Sequence, residues 1–503
     1  MNRPVSRVSA CSALLLLPLA APVSAQAARQ APPFLAIEGV EIGLESSDAR
    51  STLVLRDGRI QAILPADEEP PPGALVVDGS NWIALPAFID AYTTEGVETP
   101  EPVIDRDQPL DVRADVRIDM RLANRKGLQP AFDAHAVATL EEGRLDAYRE
   151  SGFGLALQAP SGQLLSGDSV LVALRDAALR DRIVVPEAFA HAAFRASGDG
   201  YPSTLMGYIA QYRQFFLDAE RHGLLLARSA AGQPGPRPPY DADLEAGLGL
   251  LAGGRTVLAE ANGAKDIQRY MRCAAEMGFQ LGIVGGRSAH EVVDLLLESR
   301  IPVIMTLDFG DEPDDPRPDD EEVDESDADT EEGEGEASGE ETSTPDDAAE
   351  AGDGEEDGED ADESSEEDAE EAEDSDRFVY REPYSVRLER RVDWESRRDG
   401  ALRLAEAGVP FALGTDDAGP ADLLERVRGL VERGLPESTA LAALTSEPAR
   451  LLGVEGRVGR LVEGADATLV LWTANPLTDE DASTAWVFVD GYGWENPELG
   501  EDE

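Results

Sequence analysis

Oxygen-bearing side chains stand within or just after several strand-like apolar runs of this sequence. The carboxylates and the amide among them are Asp90, Glu95, Glu260, Asn262 and Asp416, and Tyr92 and Thr94 add hydroxyls. Carboxylate and amide oxygens suit Mg²⁺ or Ca²⁺ better than zinc. Two carboxylates alone can also perform acid–base catalysis. If the strands lie side by side, we expect these groups to converge at one end as a divalent-metal site or an acid–base site.

Nitrogen and sulfur ligands are scarce. The chain has four histidines and two cysteines. His135 and His290 stand in helical patterns, and His191 and His222 have helix-like, Ala- or Arg-rich surroundings. None belongs to a pair with metal-ligand spacing at a strand end, so each is predicted to be an ordinary surface or packed histidine.

The elements that would position these residues alternate along the middle of the chain. The clearest strand-like runs are FGLALQAP, TVLAEAN, LGIVGG, IPVIMTLD and VPFALGTD. The clearest helical patterns are FDAHAVATLEEGRLDAYRES, AKDIQRYMRCAAEM, AHEVVDLLLES, RDGALRLAEAG and ADLLERVRGLVERG. Alternation of this kind predicts an α/β fold, best accommodated by a (β/α)8 TIM barrel over residues 86–454. A doubly wound open sheet is the structural alternative.

Both ends of the chain are β-rich instead. Short β-branched and apolar runs separated by turn residues occur over 33–85 and again over 455–494. Asp57-Gly58 between two such runs predicts a hairpin. The two ends are therefore predicted to form a small composite β-sandwich.

An acidic insert interrupts the barrel region. Residues 311–376 contain 37 of the 102 acidic residues of the chain and one arginine, with almost no large apolar side chain. Such a composition predicts disorder. The whole chain has a formal net charge of −59, which disfavours nucleic acid and anionic membranes as partners.

The first 25 residues have the pattern of an export signal. Arg3 and Arg7 form a basic start, an apolar stretch follows, and Val23-Ser24-Ala25 is a small-residue cleavage site. We expect a periplasmic or secreted protein with no transmembrane segment after signal cleavage.

Several segments resemble the amidohydrolase superfamily, in particular its imidazolonepropionase-like branch. LPAFIDAYTTE, residues 85–95, is similar to the first-strand pattern PGxxDxHxH, with Pro86 and Asp90 in place. GRLVEGADATLVLW is similar to the closing segment of the family, matching at Gly464, Ala465 and Asp466. LLSGDSV and LTSEPARLLGVEGRVG add further similarity. The resemblance implies a metal-dependent hydrolase with a barrel and a composite β domain.

At the metal site, this chain differs from the family pattern. The positions of the family's metal histidines fall on Tyr92, Thr94, Glu260, Asn262 and Gly285, a set without histidine. Asp416, in PFALGTDDAGP, occupies the position of the aspartate that binds metal and moves the proton. Zinc is the metal that the resemblance implies, but a lone aspartate does not hold zinc. We therefore predict no cofactor from the residues themselves.

Three functional hypotheses follow. The first is an exported amidohydrolase-family protein with a degenerate metal site that acts by binding, or supports an active amidohydrolase paralogue or a homo-oligomer. The second is an active hydrolase of peptide or non-peptide C–N bonds that uses a rebuilt carboxylate site. The third is a purely structural acidic exported protein.

Overall fold

The computed structural model describes residues 32–44, 50–100, 126–197, 202–235, 237–317 and 382–499. The segment predicted to direct export lies outside these ranges, as do residues 318–376 of the acidic insert. The chain divides into two compact units, one formed by Met1–Phe309 with Ser396–Glu503 and one by Gly310–Glu395.

The strands of the described residues are given first, in chain order. They are Leu35–Ile42 (β1), Arg50–Arg56 (β2), Arg59–Pro65 (β3), Leu75–Asp78 (β4), Ile83–Pro86 (β5), Phe88–Thr93 (β6), Phe153–Gln158 (β7), Gly167–Asp168 (β8), Val170–Ala173 (β9), Ile183–Val185 (β10), Ala190–Ala193 (β11), Thr256–Ala261 (β12), Gln280–Gly285 (β13), Val303–Met305 (β14), Phe411–Leu413 (β15), Leu469–Trp472 (β16), Thr484–Val489 (β17) and Tyr492–Glu495 (β18).

Helices follow most of the central strands. The α-helices are Glu142–Glu150 (α1), Leu179–Arg182 (α2), Leu205–Ala230 (α3), Ala242–Leu251 (α4), Ala264–Met277 (α5), Val293–Ser299 (α6), Tyr384–Arg398 (α7), Gly400–Glu406 (α8), Pro420–Glu432 (α9), Glu437–Leu444 (α10) and Ser446–Leu451 (α11). Short 3-10 helices occur at Ala134–Ala136, Ala289–Val292 and Pro497–Leu499.

One sheet joins strands from both ends of the chain, in the order β18-β17-β16-β5-β1-β2-β3, with β4 paired to β1. The junction is the antiparallel pair β5–β16, in which Trp472 lies opposite Ile83. Asp57 and Gly58 both have positive φ, 53° and 75°, which suits the predicted two-residue hairpin between β2 and β3. A separate sandwich domain made from both ends stays a prediction.

The central strands form two further sheets, ordered β10-β9-β7-β6 and β15-β14-β13-β12-β11-β8. Strands β11 to β15 are parallel to their neighbours within this run, and β6 is parallel to β7. The predicted α/β class is therefore confirmed. The (β/α)8 barrel stays a prediction.

One segment departs from the all-parallel pattern of an ideal (β/α)8 barrel. The chain over Gly167–Ala173 runs antiparallel to β7 on one side, through β9, and antiparallel to β11 on the other, through β8. The connection from β7 to β8 contains no helix. A parallel neighbour needs a crossover connection of a dozen or more residues, so the chain returns antiparallel here.

The predicted helix over FDAHAVATLEEGRLDAYRES is only partly present. The structure has a 3-10 turn at Ala134–Ala136 and then α1, which begins at Glu142. The Asp133 side chain accepts a hydrogen bond from the His135 N–H and starts the turn, and the Thr139 N–H donates to the carbonyl of Gly96. That bond to a distant segment replaces a helical bond, so the helix does not extend through Thr139.

Successive side chains along the central strands alternate between two hydrophobic cores, one on each face of the sheet. Ala259 and Ala261 of β12 belong to the larger core, which includes helix residues, whereas Leu258 belongs to a second cluster with Ile304 and Ala412 of neighbouring strands. Successive side chains of a strand point to opposite faces. Glu260 therefore lies on the same face of the sheet as Leu258.

The second unit is small. Within it, the Trp394 indole N–H donates to the carbonyl of Gly310 at 3.1 Å, and Arg391 pairs with Glu312 at 2.6 Å. These bonds connect its two described segments, 310–317 and the N-terminal part of α7.

Candidate functional site

Four strands and the segments after them bring five side chains together at the carboxyl ends of the central strands. We call this group the Tyr92 cluster: Tyr92 of β6, His191 of β11, Arg195 after β11, Glu260 of β12 and Asp416 after β15. Tyr92 connects the group, because it stacks on His191 and interacts electrostatically with Glu260, Asp416 and Arg195.

The Tyr92 side chain is buried, with 2% of the residue exposed. Its ring lies 5.6 Å from the His191 ring, centroid to centroid, at an interplanar angle of 30°. The hydroxyl interacts electrostatically with the Glu260 carboxylate. Burial, helped by the negative charge of Glu260, raises the pKa of Tyr92 well above its ordinary value, so the phenol stays protonated at neutral pH.

His191 lies beneath that ring and is fully buried. Within the described residues, neither ring nitrogen has a hydrogen-bond partner. Burial lowers the pKa of His191 to about 3, which leaves the imidazole neutral. The prediction of helix-like surroundings was wrong here: His191 is in β11, which pairs with β12 and β8, and strand pairing overrides the helical preference of alanine.

Glu260 is the largely buried acid of the cluster, with 14% of its side chain exposed. Its carboxylate forms an ion pair with the Arg195 guanidinium and accepts a weak hydrogen bond from the Gly162 N–H at 3.4 Å. Burial raises the pKa of Glu260, and the positive charge of Arg195 opposes that rise. Arg195 was not among the predicted site residues; it lies two residues after the short buried strand β11.

Asp416 has a constrained backbone and a side chain that makes no hydrogen bond or ion pair with the residues that the structure describes. Its φ is +58°, in the left-handed region that is unusual for a non-glycine residue. Its N–H donates to the Tyr92 carbonyl at 2.9 Å, and its carbonyl accepts from the Thr94 N–H and the Thr93 hydroxyl, each at 3.0 Å. Within the described residues its carboxylate makes no hydrogen bond or ion pair. Burial, and then repulsion from Asp417, raise the pKa of Asp416.

The remaining predicted positions have other surroundings. Thr94 bonds to the Asp416 backbone, its hydroxyl reaching the carbonyl at 3.3 Å. Asn262 is exposed. Gly285 has φ +97°, and a Cβ there would lie 2.4 Å from the Asn262 amide oxygen, so only glycine fits beside that side chain. Glu95 forms a bidentate pair with Arg144, with Nη2 to Oε2 at 2.7 Å. Glu95 therefore has its own partner outside the Tyr92 cluster.

Asp90 belongs to a separate group, which we call the Asp90 network, together with Thr93, Tyr148 and Thr415. One carboxylate oxygen accepts from the N–H groups of Tyr92 and Thr415 at 3.1 and 3.0 Å. The other accepts from the hydroxyls of Thr415 and Tyr148 at 2.7 and 2.9 Å. Complete burial raises the pKa of Asp90 to about 6, against the opposing effect of these hydrogen bonds. The structure therefore does not bring Asp90 into the Tyr92 cluster.

A second arginine–carboxylate pair lies at the same ends of the strands. Arg287, after β13, pairs with Asp308, after β14, at 2.7 Å. The Asp416 carboxylate interacts electrostatically with both Arg287 and Arg195. Two guanidinium groups therefore share this region with the acids.

These donors do not fit the zinc site that the family resemblance implies. Zinc sites use at least three His, Cys, Asp or Glu ligands. In the described part of the chain, no group of three or more such side chains is arranged to hold a metal ion. The Tyr92 ring covers His191, and Glu260 is already paired with a cation.

Comparisons with known proteins find similarity to amidohydrolases over part of the sequence. A model of the amidohydrolase family matches residues 385–494. The amidohydrolase tasK of Hapsidospora irregularis is 39% identical over 69 residues, which are 14% of this chain and 7% of that protein. The match therefore spans a small part of that relative.

Solved structures extend the comparison over most of the chain. The crystal structure of an amidohydrolase from Thermotoga maritima MSB8 is 18% identical, with a TM-score of 0.64 over 92% of this chain and 100% of that one. The structure of a Xaa-Pro dipeptidase with methionine bound in its active site is 17% identical, with a TM-score of 0.49 and the same coverage.

The chain is thus an α/β protein with an amidohydrolase fold. The matches confirm the predicted resemblance to the amidohydrolase superfamily. No helix among the described residues combines the length and apolarity needed to cross a bilayer.

Proposed function

We propose that this protein is an amidohydrolase-family member that acts by binding and not by metal-dependent hydrolysis. The observation that carries the proposal is the position of Tyr92. Its buried ring covers His191, and the phenol interacts with the Glu260 carboxylate. A protonated phenol is a poor metal ligand, and here it occupies the space between the two donors best suited to hold one.

The proposal includes a closed (β/α)8 barrel as the scaffold. The bonds between β6 and the segment after β15 support it, because they connect the outer edges of the two central sheets. The run Gly167–Ala173 supports closure on the opposite side, since it pairs with one strand of each sheet.

The proposal also places the mature protein outside the cytoplasm, with an active amidohydrolase paralogue or a second copy of this chain as partner. The basic, apolar and small-residue pattern of the first 25 residues supports export. Size-exclusion chromatography with light scattering on the mature chain tests whether the protein associates with a second copy of itself. Co-purification with an active paralogue from the native host tests the first partner.

A hydrolase with a rebuilt carboxylate site is the second candidate. The partly buried, unpaired carboxylate of Asp416 favours it, since a raised pKa suits a general base working near neutral pH. In that case Asp416 would take a proton from water beside the substrate, and Arg195 would stabilise the developing negative charge.

Metal content and hydrolysis together test the main proposal. Purified mature protein is supplied with Zn²⁺, Mn²⁺ and Mg²⁺, dialysed in 0.5 M salt to remove ions held by the acidic insert, and analysed by mass spectrometry. We expect far less than one ion per chain in both wild type and Asp416→Ala. About one ion per chain that disappears in Asp416→Ala would overturn the proposal.

Hydrolysis assays separate the second candidate from the first. Wild type and Asp416→Asn are compared on a panel of amide and peptide substrates without added metal. Equal background rates support a binding role. Turnover by wild type that Asp416→Asn lacks would establish the carboxylate hydrolase.

A further inference from the structure

The proposed function leaves one electrostatic problem, which concerns the two acids of the Tyr92 cluster. Glu260 and Asp416 come from β12 and from the segment after β15, and each is partly removed from water. Their negative charges interact unfavourably with one another. Buried carboxylates need a nearby cation, or else they bind protons or a metal ion.

Arg195 is the cation that the structure places beside both acids. It forms an ion pair with Glu260, and its charge lowers the pKa of Glu260 and of Asp416. Its position after β11 brings the guanidinium in from the solvent side, with 60% of the side chain exposed. The cation is thus part of the chain itself.

We propose that Arg195 takes the electrostatic place of a metal ion in this site and thereby excludes divalent cations. The inference rests on the proposed function, because it explains how the site stays free of metal. Without the guanidinium, no cation of the Tyr92 cluster would compensate the negative charges of Glu260 and Asp416, which repel one another. Oxygen donors of this type suit Mn²⁺, Mg²⁺ and Ca²⁺.

Arg287 supplies a matched control. It also follows a central strand, pairs with one carboxylate at 2.7 Å and interacts with Asp416. It does not pair with Glu260. If general loss of positive charge were enough to attract a metal, Arg287→Ala would bind Mn²⁺ as well as Arg195→Ala does.

The experiment measures Mn²⁺ binding by equilibrium dialysis with electron paramagnetic resonance of the free ion, in 0.5 M salt. All variants keep the acidic insert, so its weak binding cancels in the comparison. We expect Arg195→Ala to bind one Mn²⁺ at least about tenfold more tightly than wild type or Arg287→Ala, which is about 1.4 kcal/mol. Arg195→Lys, which keeps the charge, should resemble wild type.

A double variant identifies the ligands. Arg195→Ala with Glu260→Gln should lose the gained site, because the carboxylate that Arg195 neutralised is no longer charged. If the circular dichroism spectrum shows that Arg195→Ala is unfolded, Arg195→Gln, which retains most of the side-chain stem, is used in its place.

Three results would overturn the inference: folded Arg195→Ala and Arg195→Gln that bind no better than Arg287→Ala, an equal gain in Arg195→Lys, or a gained site that survives Glu260→Gln. Full metal occupancy in wild type would instead overturn the proposed function. The two failures are thus distinguishable in one set of samples.

Discussion

The Asp90 network and the Tyr92 cluster begin two residues apart on β6 but differ in how their polar groups are satisfied. Asp90 is fully buried, and each of its two carboxylate oxygens accepts two hydrogen bonds. In the Tyr92 cluster, His191 has no hydrogen-bond partner and the Asp416 carboxylate is unpaired within the described residues. A satisfied buried network stabilises and specifies a fold, whereas unsatisfied or strained groups concentrate where ligands act.

The comparison separates framework from chemistry. The Asp90 network connects β6, α1 and the segment after β15, so it holds together elements that are far apart in sequence. The Tyr92 cluster shares β6 and the segment after β15 with this network and adds side chains from β11 and β12. A chain can therefore keep the first group while the second acquires residues that no longer fit a metal.

The largest effect is expected from truncating Tyr92. Tyr92→Ala leaves a cavity against His191 and should lower the free energy of unfolding by about 3–5 kcal/mol. Tyr92→Phe keeps the ring and should cost only about 1 kcal/mol, for the lost interaction of the hydroxyl with Glu260. Urea unfolding of both variants measures the difference. Equal losses would mean that the hydroxyl, and not the ring, is the main contribution.

Removal of the Asp90 carboxylate should have the next largest effect. Asp90→Ala removes the carboxylate that accepts from the N–H groups of Tyr92 and Thr415, which should cost about 2–3 kcal/mol. Asp417→Ala, an exposed neighbour of the other group, is the matched control and should change stability by less than about 0.5 kcal/mol. The contrast fails if Asp90→Ala unfolds at the same urea concentration as wild type.

Asp90 should also make stability depend on pH. Its folded-state pKa, about 6, lies above the ordinary value of 3.8, so the folded protein holds the proton more tightly than the unfolded chain. Its contribution is present below about pH 4 and is lost as pH rises through 6, at no more than about 1.4 kcal/mol per pH unit. Asp90→Asn should have a flatter profile in urea titrations from pH 5 to 8. A profile parallel to that of wild type would contradict this assignment.

The smallest effect is expected at Asp416. Burial raises its pKa, so the charged form is less stable in the folded protein, and Asp416→Asn should change stability at pH 7 by less than about 1 kcal/mol, in the stabilising direction. Thermal unfolding measures the change. A clear destabilisation would show that the Asp416 carboxylate has a structural partner. The Tyr92 cluster would then stabilise the fold as the Asp90 network does.

Local patterns predicted much of the fold. The helix over AKDIQRYMRCAAEM has the predicted bounds, Ala264–Met277, and ends at Gly278, whose φ of +87° suits a glycine cap. The five quoted strand runs all contain strands. In these segments periodicity and turn residues agree with the tertiary structure, so the sequence alone is sufficient.

The site was less predictable because it depends on pairings between distant segments. Ala190–Ala193 is a strand only because β8 and β12 lie on either side of it, and no local pattern indicates this. Convergence of Glu260 and Asp416 could be expected from parallel strand ends. The pairing of Arg195 with Glu260 could not, since long side chains after strands reach many neighbours.

The bonds between β6 and Asp416 have a consequence for how the chain is made. The Thr93 hydroxyl and the Asp416 carbonyl are separated by 323 positions in the sequence. During synthesis from the N-terminus, this edge of β6 has no partner until β15 has left the ribosome, and an unpaired strand edge favours association with other chains. The nascent chain is therefore most exposed to misassembly in the interval before translation passes residue 416. Chaperone binding would protect the unpaired edge of β6 during that interval.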